Sequence, residues 1–271
     1  MVEIINKKRT TKQALSEQSE IQDVRPYLGM SQLGHSCERF LWYSFRWCYQ
    51  EEISARKLRL FDRGHREEPA IIEAISKIGI SVYDCQQEIS AVHGHVKGHI
   101  DGKAIGVIEA PKTIHLAEFK TMNDKAFKDV VKSGVKVSKP IYYVQSQLYM
   151  FALNLDRTFF LAVNKNDDDY YIERLELEPA VSEYHLTRAE DIILAEQIPE
   201  KKYKPTWYEC KWCAANDICH NKKKVEANCR MCQSCDILPK GQWSCSIYDD
   251  LIITSSQQRL GCKNYKVLPY V

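Results

Sequence analysis

The 271-residue sequence has no long apolar run, and its hydrophobic stretches stay well below the ~20 consecutive residues that a membrane-spanning helix requires. Residues 1–20 are polar and contain no apolar core of the kind found in secretory signals, so we predict a frayed N-terminal tail. The 44% hydrophobic and 27% charged content is ordinary for a globular protein. These features predict a soluble, cytoplasmic protein with no membrane partner.

The sequence also has little net charge. Its formal charge is +2 and its pI is near 7.9, a weaker basic balance than most nucleic-acid-binding proteins carry. The charge is unevenly distributed, because residues 167–200 are acidic whereas residues 201–224 contain Lys201, Lys202, Lys204, Lys211, Lys222, Lys223 and Lys224. Such a run is typical either of a patch that contacts phosphates or of a solvated lysine face.

Periodicity predicts an α/β protein. Apolar residues at helical spacing predict a helix over residues 68–78, and a second over 140–154 with Ile141, Val144, Leu148 and Phe151 on its apolar side. Strand character covers residues 88–121, where Asp101-Gly102 is typical of a hairpin turn, and returns over 158–163 and 170–177 before a helix over 178–197. This order favours a mixed central sheet flanked by helices.

The chain is predicted to have three regions. A polar tail covers residues 1–24, one domain covers 25–224, and a small cysteine-rich C-terminal appendage covers 225–271. Eight of the eleven cysteines lie between Cys210 and Cys262. Because disulfides do not persist in a reducing cytosol, clustered cysteines there indicate metal binding.

Two short segments carry the candidate chemistry. Glu118 and Lys120 are two apart on a predicted strand and therefore share a face, while Asp101 comes from a neighbouring strand. Two carboxylates suit a hard cation such as Mg²⁺ or Mn²⁺, which polarises a phosphate and activates water, and a lysine beside them can stabilise the developing charge. Each fragment alone is usually a turn residue or a solvated face.

Together with the residues around them, these segments resemble the PD-(D/E)xK nuclease superfamily. Gln145 and Tyr149 are similar to the Q-x-x-x-Y motif of its RecB-like branch, which includes CRISPR-associated adaptation nucleases and phage λ-exonuclease-like enzymes. The resemblance implies a restriction-endonuclease-like core and DNA contact by this pair, which lies on one helix face. It spans roughly residues 28–220.

The resemblance also implies a metal site. Asp101 and Glu118 would hold Mg²⁺ or Mn²⁺, with the Phe119 main-chain carbonyl as a further ligand, and Lys120 would position the attacking water. Residues 64–70 resemble the first motif of the family, in which Glu68 would help to build the site. His65 is either a further ligand or a surface residue at the start of a helix.

The cysteines form two candidate sites. Cys210, Cys213 and Cys219 have C-x₂-C-x₅-C spacing, and this spacing alone is compatible with Zn²⁺, using His220 as fourth ligand, or with an iron–sulfur cluster. The resemblance implies a structural [4Fe–4S] cluster completed by Cys37. Further along the chain, Cys229, Cys232, Cys245 and Cys262 are candidates for zinc, with Cys235 as a rival ligand, and we expect this segment to need metal in order to fold.

The function that the resemblance implies is hydrolysis of DNA phosphodiester bonds, with an exonuclease in DNA recombination, repair or end processing as the favoured form. A recombination or replication protein is the expected partner besides DNA. The alternative is a non-catalytic iron–sulfur or zinc-stapled DNA-binding or adaptor protein. Strand polarity, single- or double-strand preference, oligomeric state and phage or cellular origin are left open by the sequence.

Overall fold

The computed structural model describes residues 9–21 and 24–268, so residues 1–8, 22 and 23 of the predicted tail lie outside the described part of the chain. The helices there are α1 Thr11–Ser16, α2 Glu38–Phe45, α3 Ala55–Ser76, α4 Asp124–Ser138, α5 Pro140–Leu153, α6 Pro179–Leu194, α7 Tyr208–Lys211, α8 Asn216–His220 and α9 Ser255–Arg259. None of these helices is long and apolar enough to span a membrane. The strands are β1 Glu20–Ile21, β2 Leu28–Gly29, β3 Glu52–Ile53, β4 Ser81–Tyr83, β5 Glu88–Ala91, β6 Val96–His99, β7 Gly102–Ile105, β8 His115–Met122, β9 Arg157–Asn164, β10 Tyr170–Glu176, β11 Cys235–Leu238, β12 Gln242–Cys245 and β13 Leu251–Ile252.

A five-stranded mixed sheet with the order β10-β9-β8-β7-β4 lies at the centre of the fold. Strands β8 and β9 are parallel, and the other neighbours are antiparallel. Alternate residues of β9 face opposite sides, so Phe159 packs with Ile71 of α3 whereas Phe160 packs with Val130 of α4. The predicted mixed sheet flanked by helices is confirmed.

Helix α3 is longer than the sequence predicted. It begins at Ala55, not near residue 68, and the side chain of Ser54 caps it by accepting a hydrogen bond from the Lys57 amide. Residues 55–67 are largely charged, so they show no apolar stripe, and Pro69 lies inside the helix where a proline usually indicates its start. The extension matters because it brings Glu68 into the middle of a rigid element.

The predicted hairpin at Asp101-Gly102 is wrong. Strand β6 belongs to a separate sheet with the order β2-β6-β5, and the chain crosses at Asp101 from that sheet into β7 of the central sheet. Gly102 is required at this crossing, because a Cβ there would lie 2.6 Å from Cγ1 of Val82. Asp101 therefore lies at the junction of two sheets, next to β8.

Helix α5 is buried on more sides than the predicted apolar stripe allowed. Residues 143–150 are all buried, including Gln147, whereas Ile141 and Phe151 are 36% and 37% exposed. The polar side chain is satisfied, since Gln147 donates to the Glu176 carbonyl and accepts from the Glu178 amide. The helix packs against α4, α6 and the sheet, and this packing needs more than one apolar face.

The predicted cysteine-rich C-terminal segment is present, with its own three-stranded sheet β11-β12-β13. Its apolar residues do not stand alone: Met231 and Trp243 are fully buried in the same hydrophobic cluster as Trp42 and Phe45 of α2. The segment thus completes its core with residues from the other end of the chain. The boundary predicted at residue 225 stays a prediction.

Candidate active site and cysteine clusters

Strand β8 presents Glu118 and Lys120 on the face that carries α4 and α5. Phe119 points to the opposite face and packs under α3. Glu118 is completely buried, the Lys120 side chain is 20% exposed, and the two form an ion pair. The ammonium of Lys120 also lies 5.4 Å from the ring centroid of Tyr142, which is close enough for a cation–π interaction.

Asp101 is held against the same strand. Its Oδ2 accepts a hydrogen bond of 2.7 Å from the Phe119 amide, an amide that the β7 ladder leaves unpaired because the register ends at Gly102 opposite Ala117. The negative charge of Asp101 acts together with burial to raise the pKa of Glu118. The structure thus brings the two predicted carboxylates and the lysine together.

Glu68 approaches from α3. Its Oε1 accepts a hydrogen bond of 2.9 Å from Nε2 of Gln86. Burial raises the pKa of Glu68, and the neighbouring charge of Asp101 raises it further. His65 lies one turn earlier on the same helix and is exposed, and its charge acts on Glu68. Both predicted residues therefore lie beside the carboxylate pair.

A cleft of about 640 Å³ opens between α3, β8 and α5. Its walls include both predicted and unpredicted residues, among them His65, Glu68, Gln86, Asp101, Phe119, Lys120 and Tyr142. Asp101, Lys120 and Glu68 therefore line a space that a ligand can enter, whereas Glu118 is buried beside it.

The electrostatics of the cleft fit a divalent cation. Both carboxylate oxygens of Glu118 are buried, and the Lys120 ammonium is the ion-pair partner of this carboxylate. Asp101, Glu118 and Glu68 place three carboxyl groups near one lysine, an arrangement that a bound cation would stabilise. Within residues 9–21 and 24–268, no three His, Cys, Asp or Glu side chains converge closely enough to hold a metal ion as they stand. The oxygen donors nevertheless match what Mg²⁺ and Mn²⁺ require.

Gln145 and Tyr149 lie behind the carboxylates. Gln145 is 7% exposed and Tyr149 is 2% exposed, so neither side chain is open to a large ligand. Tyr149 lies against Gly98, where any Cβ would collide with its hydroxyl. Burial raises the pKa of Tyr149, and the Glu118 charge raises it further. The predicted DNA contact of this pair stays a prediction.

Two residues of the cleft were missed by the sequence reasoning. Tyr142 is three residues before Gln145 on α5, so its helical spacing from that motif was a usable signal. Gln86 had no such signal. It lies in a turn after β4, has a positive φ of 59°, and reaches Glu68 only because of the tertiary fold.

The first four candidate cysteines lie in one neighbourhood of the fold, although they do not form a ready-made metal site among the described residues. Burial raises the pKa of Cys37, Cys210 and Cys213, and their thiols are close enough that the charge of Cys37 raises the pKa of the other two. The Cys219 charge acts on all three. Burial lowers the pKa of His220, and the nearby charges of Lys201 and Arg39 lower it further. The identity of the fourth ligand stays a prediction.

The second set of cysteines lies within the C-terminal segment. Burial raises the pKa of Cys229, and Cys232, Cys262 and Cys245 add to this rise. Cys235 lies directly opposite Cys245 in the β11–β12 pair, so the rival ligand joins the predicted set without displacing a member. The five thiols therefore lie in the same part of the C-terminal segment, although they do not form a ready-made metal site among the described residues. Thiolates are ligands that soft metal ions prefer.

Comparison with known proteins gives only distant likenesses. No protein-family model matches the chain, and no curated protein matches its sequence. The structure of the alkaline exonuclease LHK-Exo from Laribacter hongkongensis is 18% identical with a TM-score of 0.45, covering 62% of this chain and 86% of that chain. The structure of LHK-Exo in complex with dAMP is 20% identical with a TM-score of 0.46, covering 62% of this chain and 86% of that chain. The structure of SSO0001 is 16% identical with a TM-score of 0.39, covering 76% of this chain and 91% of that chain. At TM-scores below 0.5 these likenesses decide nothing about activity.

Proposed function

We propose that the protein is a metal-dependent deoxyribonuclease that shortens DNA from its ends. The observation that carries this proposal is the buried Glu118 carboxylate, which forms an ion pair with Lys120 and lies beside a cleft whose walls include Asp101 and Lys120. Burying an ionised carboxylate in this way is unfavourable unless cations offset it. A function that uses a cation accounts for the arrangement.

Each residue has a distinct role in the proposed site. Asp101 and Glu118 would hold the Mg²⁺ or Mn²⁺ ion, and Glu68 is within reach to assist. The bound cation would polarise the scissile phosphate and lower the pKa of a water ligand. Lys120 would orient the attacking water and stabilise negative charge on the phosphate. Tyr142 and Tyr149 would restrict Lys120 and Glu118 to one arrangement.

Digestion of labelled DNA tests this proposal. We expect the wild-type protein, supplied with Mg²⁺ or Mn²⁺, to shorten end-labelled linear DNA and to leave covalently closed circles intact. If closed circles are cleaved, the protein is an endonuclease that uses the same site, and the exonuclease assignment is wrong. Absence of cleavage on single- and double-stranded substrates with every metal tested would contradict the nuclease and favour a binding or adaptor protein.

We further propose that Cys37, Cys210, Cys213 and Cys219 bind one metal centre, a [4Fe–4S] cluster. Cys37 caps the start of α2, and the other three lie in and around α7 and α8, so one centre would join the two ends of the fold. A hydrogen bond of 3.0 Å from Ser36 to Glu209 already bridges the same two segments. The centre would be structural, since it would link two segments that are far apart in sequence. Ser36 and Glu209, which mark these segments, are 173 residues apart.

Substitution of Cys37 tests the cluster. We expect purified wild-type protein to contain iron and acid-labile sulfide, and Cys37→Ser to lose most of both because a fourth thiolate is absent. Cys85→Ser is the matched control, since Cys85 is exposed and outside both cysteine clusters. Zinc without sulfide in the wild-type protein, or unchanged iron in Cys37→Ser, would contradict the assignment.

We propose zinc for the C-terminal thiols Cys229, Cys232, Cys235, Cys245 and Cys262. Strands β11 and β12 hold Cys235 and Cys245 in register, and Cys232 precedes β11 by three residues. Zinc and iron are measured on the same sample, so the two sites are separable by metal analysis. DNA is the proposed substrate and a recombination or replication protein the proposed partner.

A further inference from the structure

A set of exposed aromatic side chains lies in the segment between α6 and α8. Trp212 is 89% exposed, which is the highest value for any large apolar side chain in the described residues, and Trp207 is 43% exposed. Tyr203 stacks on Trp207 with ring centroids 5.5 Å apart and an interplanar angle of 10°. A single exposed aromatic residue is ordinary, but a stacked pair followed closely by a third ring is a surface feature that needs an explanation.

The backbone fixes these rings in place. The Trp207 amide donates to the Lys204 carbonyl, which closes a turn, and Trp207 then caps α7. Trp212 follows α7 between Cys210 and Cys213, both of which are half-buried, whereas the ring of Trp212 lies at the surface. The aromatic side chains are therefore presented by a short ordered segment.

The surroundings are basic. Residues 200–224 contain seven lysines and only three acidic residues, Glu200, Glu209 and Asp217, against a net charge of +2 for the whole chain. Lys202 is paired with Glu38 at 3.0 Å. Lys201, Lys204 and Lys211 are exposed and form no ion pair with another described residue. Exposed positive charge thus accompanies the aromatic rings along this segment.

This combination selects among possible occupants. Protein interfaces are depleted in lysine, so three unpaired lysines beside the rings disfavour a protein partner. Phosphates pair with lysines, and aromatic rings stack on nucleobases whose faces are free. In a duplex those faces are covered by neighbouring base pairs, whereas in a single strand they are available. The chemistry therefore matches a single-stranded nucleic acid.

We propose that Tyr203, Trp207 and Trp212, together with Lys201, Lys204 and Lys211, form a binding surface for single-stranded DNA. The choice of DNA over RNA rests on the proposed nuclease function, and the surface would hold a strand outside the catalytic cleft. Bases stack on the tryptophans, and the lysines contact the phosphates between them. Affinity would then be largely independent of base sequence.

Tryptophan fluorescence offers a direct measurement. Of the five tryptophans, Trp42 and Trp243 are fully buried and Trp47 is 7% exposed, so quenching by an added strand reports on Trp207 and Trp212. In EDTA, which prevents cleavage, we expect oligo(dT) to quench the full-length protein and to bind at least tenfold more tightly than a duplex of equal length. By anisotropy of labelled oligo(dT), Trp207→Ala/Trp212→Ala should bind at least tenfold more weakly, whereas Trp212→Phe should stay within about threefold.

The lysines and the controls give independent readouts. Replacing Lys201, Lys204 and Lys211 by alanine should reduce the slope of log K against log salt by about 2, since each phosphate contact on a single strand contributes about 0.7. Tyr170→Ala is the matched control, because Tyr170 is 50% exposed but follows the acidic residues 167–169. It should bind like the wild type, and all variants should retain wild-type metal content and circular dichroism.

Several results would overturn the proposal. If Trp207→Ala/Trp212→Ala binds oligo(dT) as tightly as the wild type does, the proposed surface is wrong. If the protein binds a duplex more tightly than oligo(dT), the surface is not specific for single strands. Oligo(U) binding as tight as oligo(dT) removes the assignment to DNA. The nuclease proposal is tested separately. If the protein binds the strand in EDTA but does not cleave DNA in Mg²⁺, only the nuclease proposal is contradicted. If the protein cleaves DNA and the double variant binds oligo(dT) as tightly as the wild type, only the proposed surface is contradicted.

Discussion

Replacing Lys120 with alanine is expected to slow DNA cleavage by about 10²- to 10³-fold, the effect usually seen when one preorganised charge-stabilising group is removed from an active site. The Lys120 ammonium pairs with Glu118, and no other lysine or arginine forms an ion pair with that carboxylate among the described residues. Its loss therefore removes both the cation that orients water and the partner that fixes Glu118. Single-turnover rates with saturating Mg²⁺ or Mn²⁺ measure the change.

Lys125→Ala is the matched control for this substitution. Lys125 is exposed on the first turn of α4, so its removal should leave the rate within about twofold of wild type and the free energy of unfolding within about 0.5 kcal/mol. A Lys120→Ala protein that is folded and cleaves at the wild-type rate would contradict the assigned role.

Folding must be separated from catalysis in this experiment. Removing Lys120 leaves Glu118 as an unpaired carboxylate at 0% exposure, and breaking a buried pair in this way destabilises proteins by about 3–5 kcal/mol. The double variant Glu118→Gln/Lys120→Met removes both charges, so it should recover much of that stability. It should remain inactive, because the cation ligand and the lysine are both gone.

The candidate site illustrates what the sequence could predict. The shared face of Glu118 and Lys120 followed from the two-residue period of a strand, which tertiary packing does not alter. The environment of Asp101 did not follow, because a local Asp-Gly turn signal carries no information on whether the chain crosses to another sheet. The burial of Gln145 and Tyr149 depends on what covers α5, which their helical spacing cannot indicate.

Contacts between the two ends of the chain were beyond sequence reasoning for the same physical reason. Nothing in the spacing of Cys210, Cys213 and Cys219 identifies Cys37, and only the resemblance to the nuclease superfamily supplied it. The C-terminal segment seemed to lack apolar residues because the rest of its core is on α2, in Trp42 and Phe45. Hydrophobic counts within one segment cannot include residues that join it from elsewhere.

Two buried arginines reinforce the packing between α2 and the C-terminal segment. Arg230 is 0% exposed and its guanidinium lies 3.8 Å from the Trp47 ring centroid, while it donates to the carbonyl oxygens of Phe45 and Pro26. Arg46 in turn donates to the Arg230 carbonyl. These charge-assisted hydrogen bonds satisfy carbonyl groups on both sides of the contact. Separating the two segments would therefore leave those carbonyl groups without their hydrogen-bond donors.

Trp243→Ala is therefore expected to destabilise the whole protein, not the C-terminal segment alone. Trp243 is 0% exposed, its ring centroid lies 5.3 Å from that of Phe45, and the Arg230 guanidinium lies 4.8 Å from it. Truncation of a buried tryptophan costs about 3–5 kcal/mol, since the cavity cannot be refilled. Denaturant unfolding followed by circular dichroism, which reports largely on the helices before residue 225, measures the loss.

Trp212→Ala is the matched control, because its 89% exposed side chain should contribute less than about 0.5 kcal/mol to folding. Limited proteolysis then distinguishes a shared core from a separate domain. If Trp243→Ala only makes residues 225–271 sensitive to protease and leaves the unfolding of the remainder unchanged, the segment is an independent appendage as the sequence predicted. If the helices before residue 225 unfold at lower denaturant together with that segment, then α2 and the C-terminal strands form one cooperative unit.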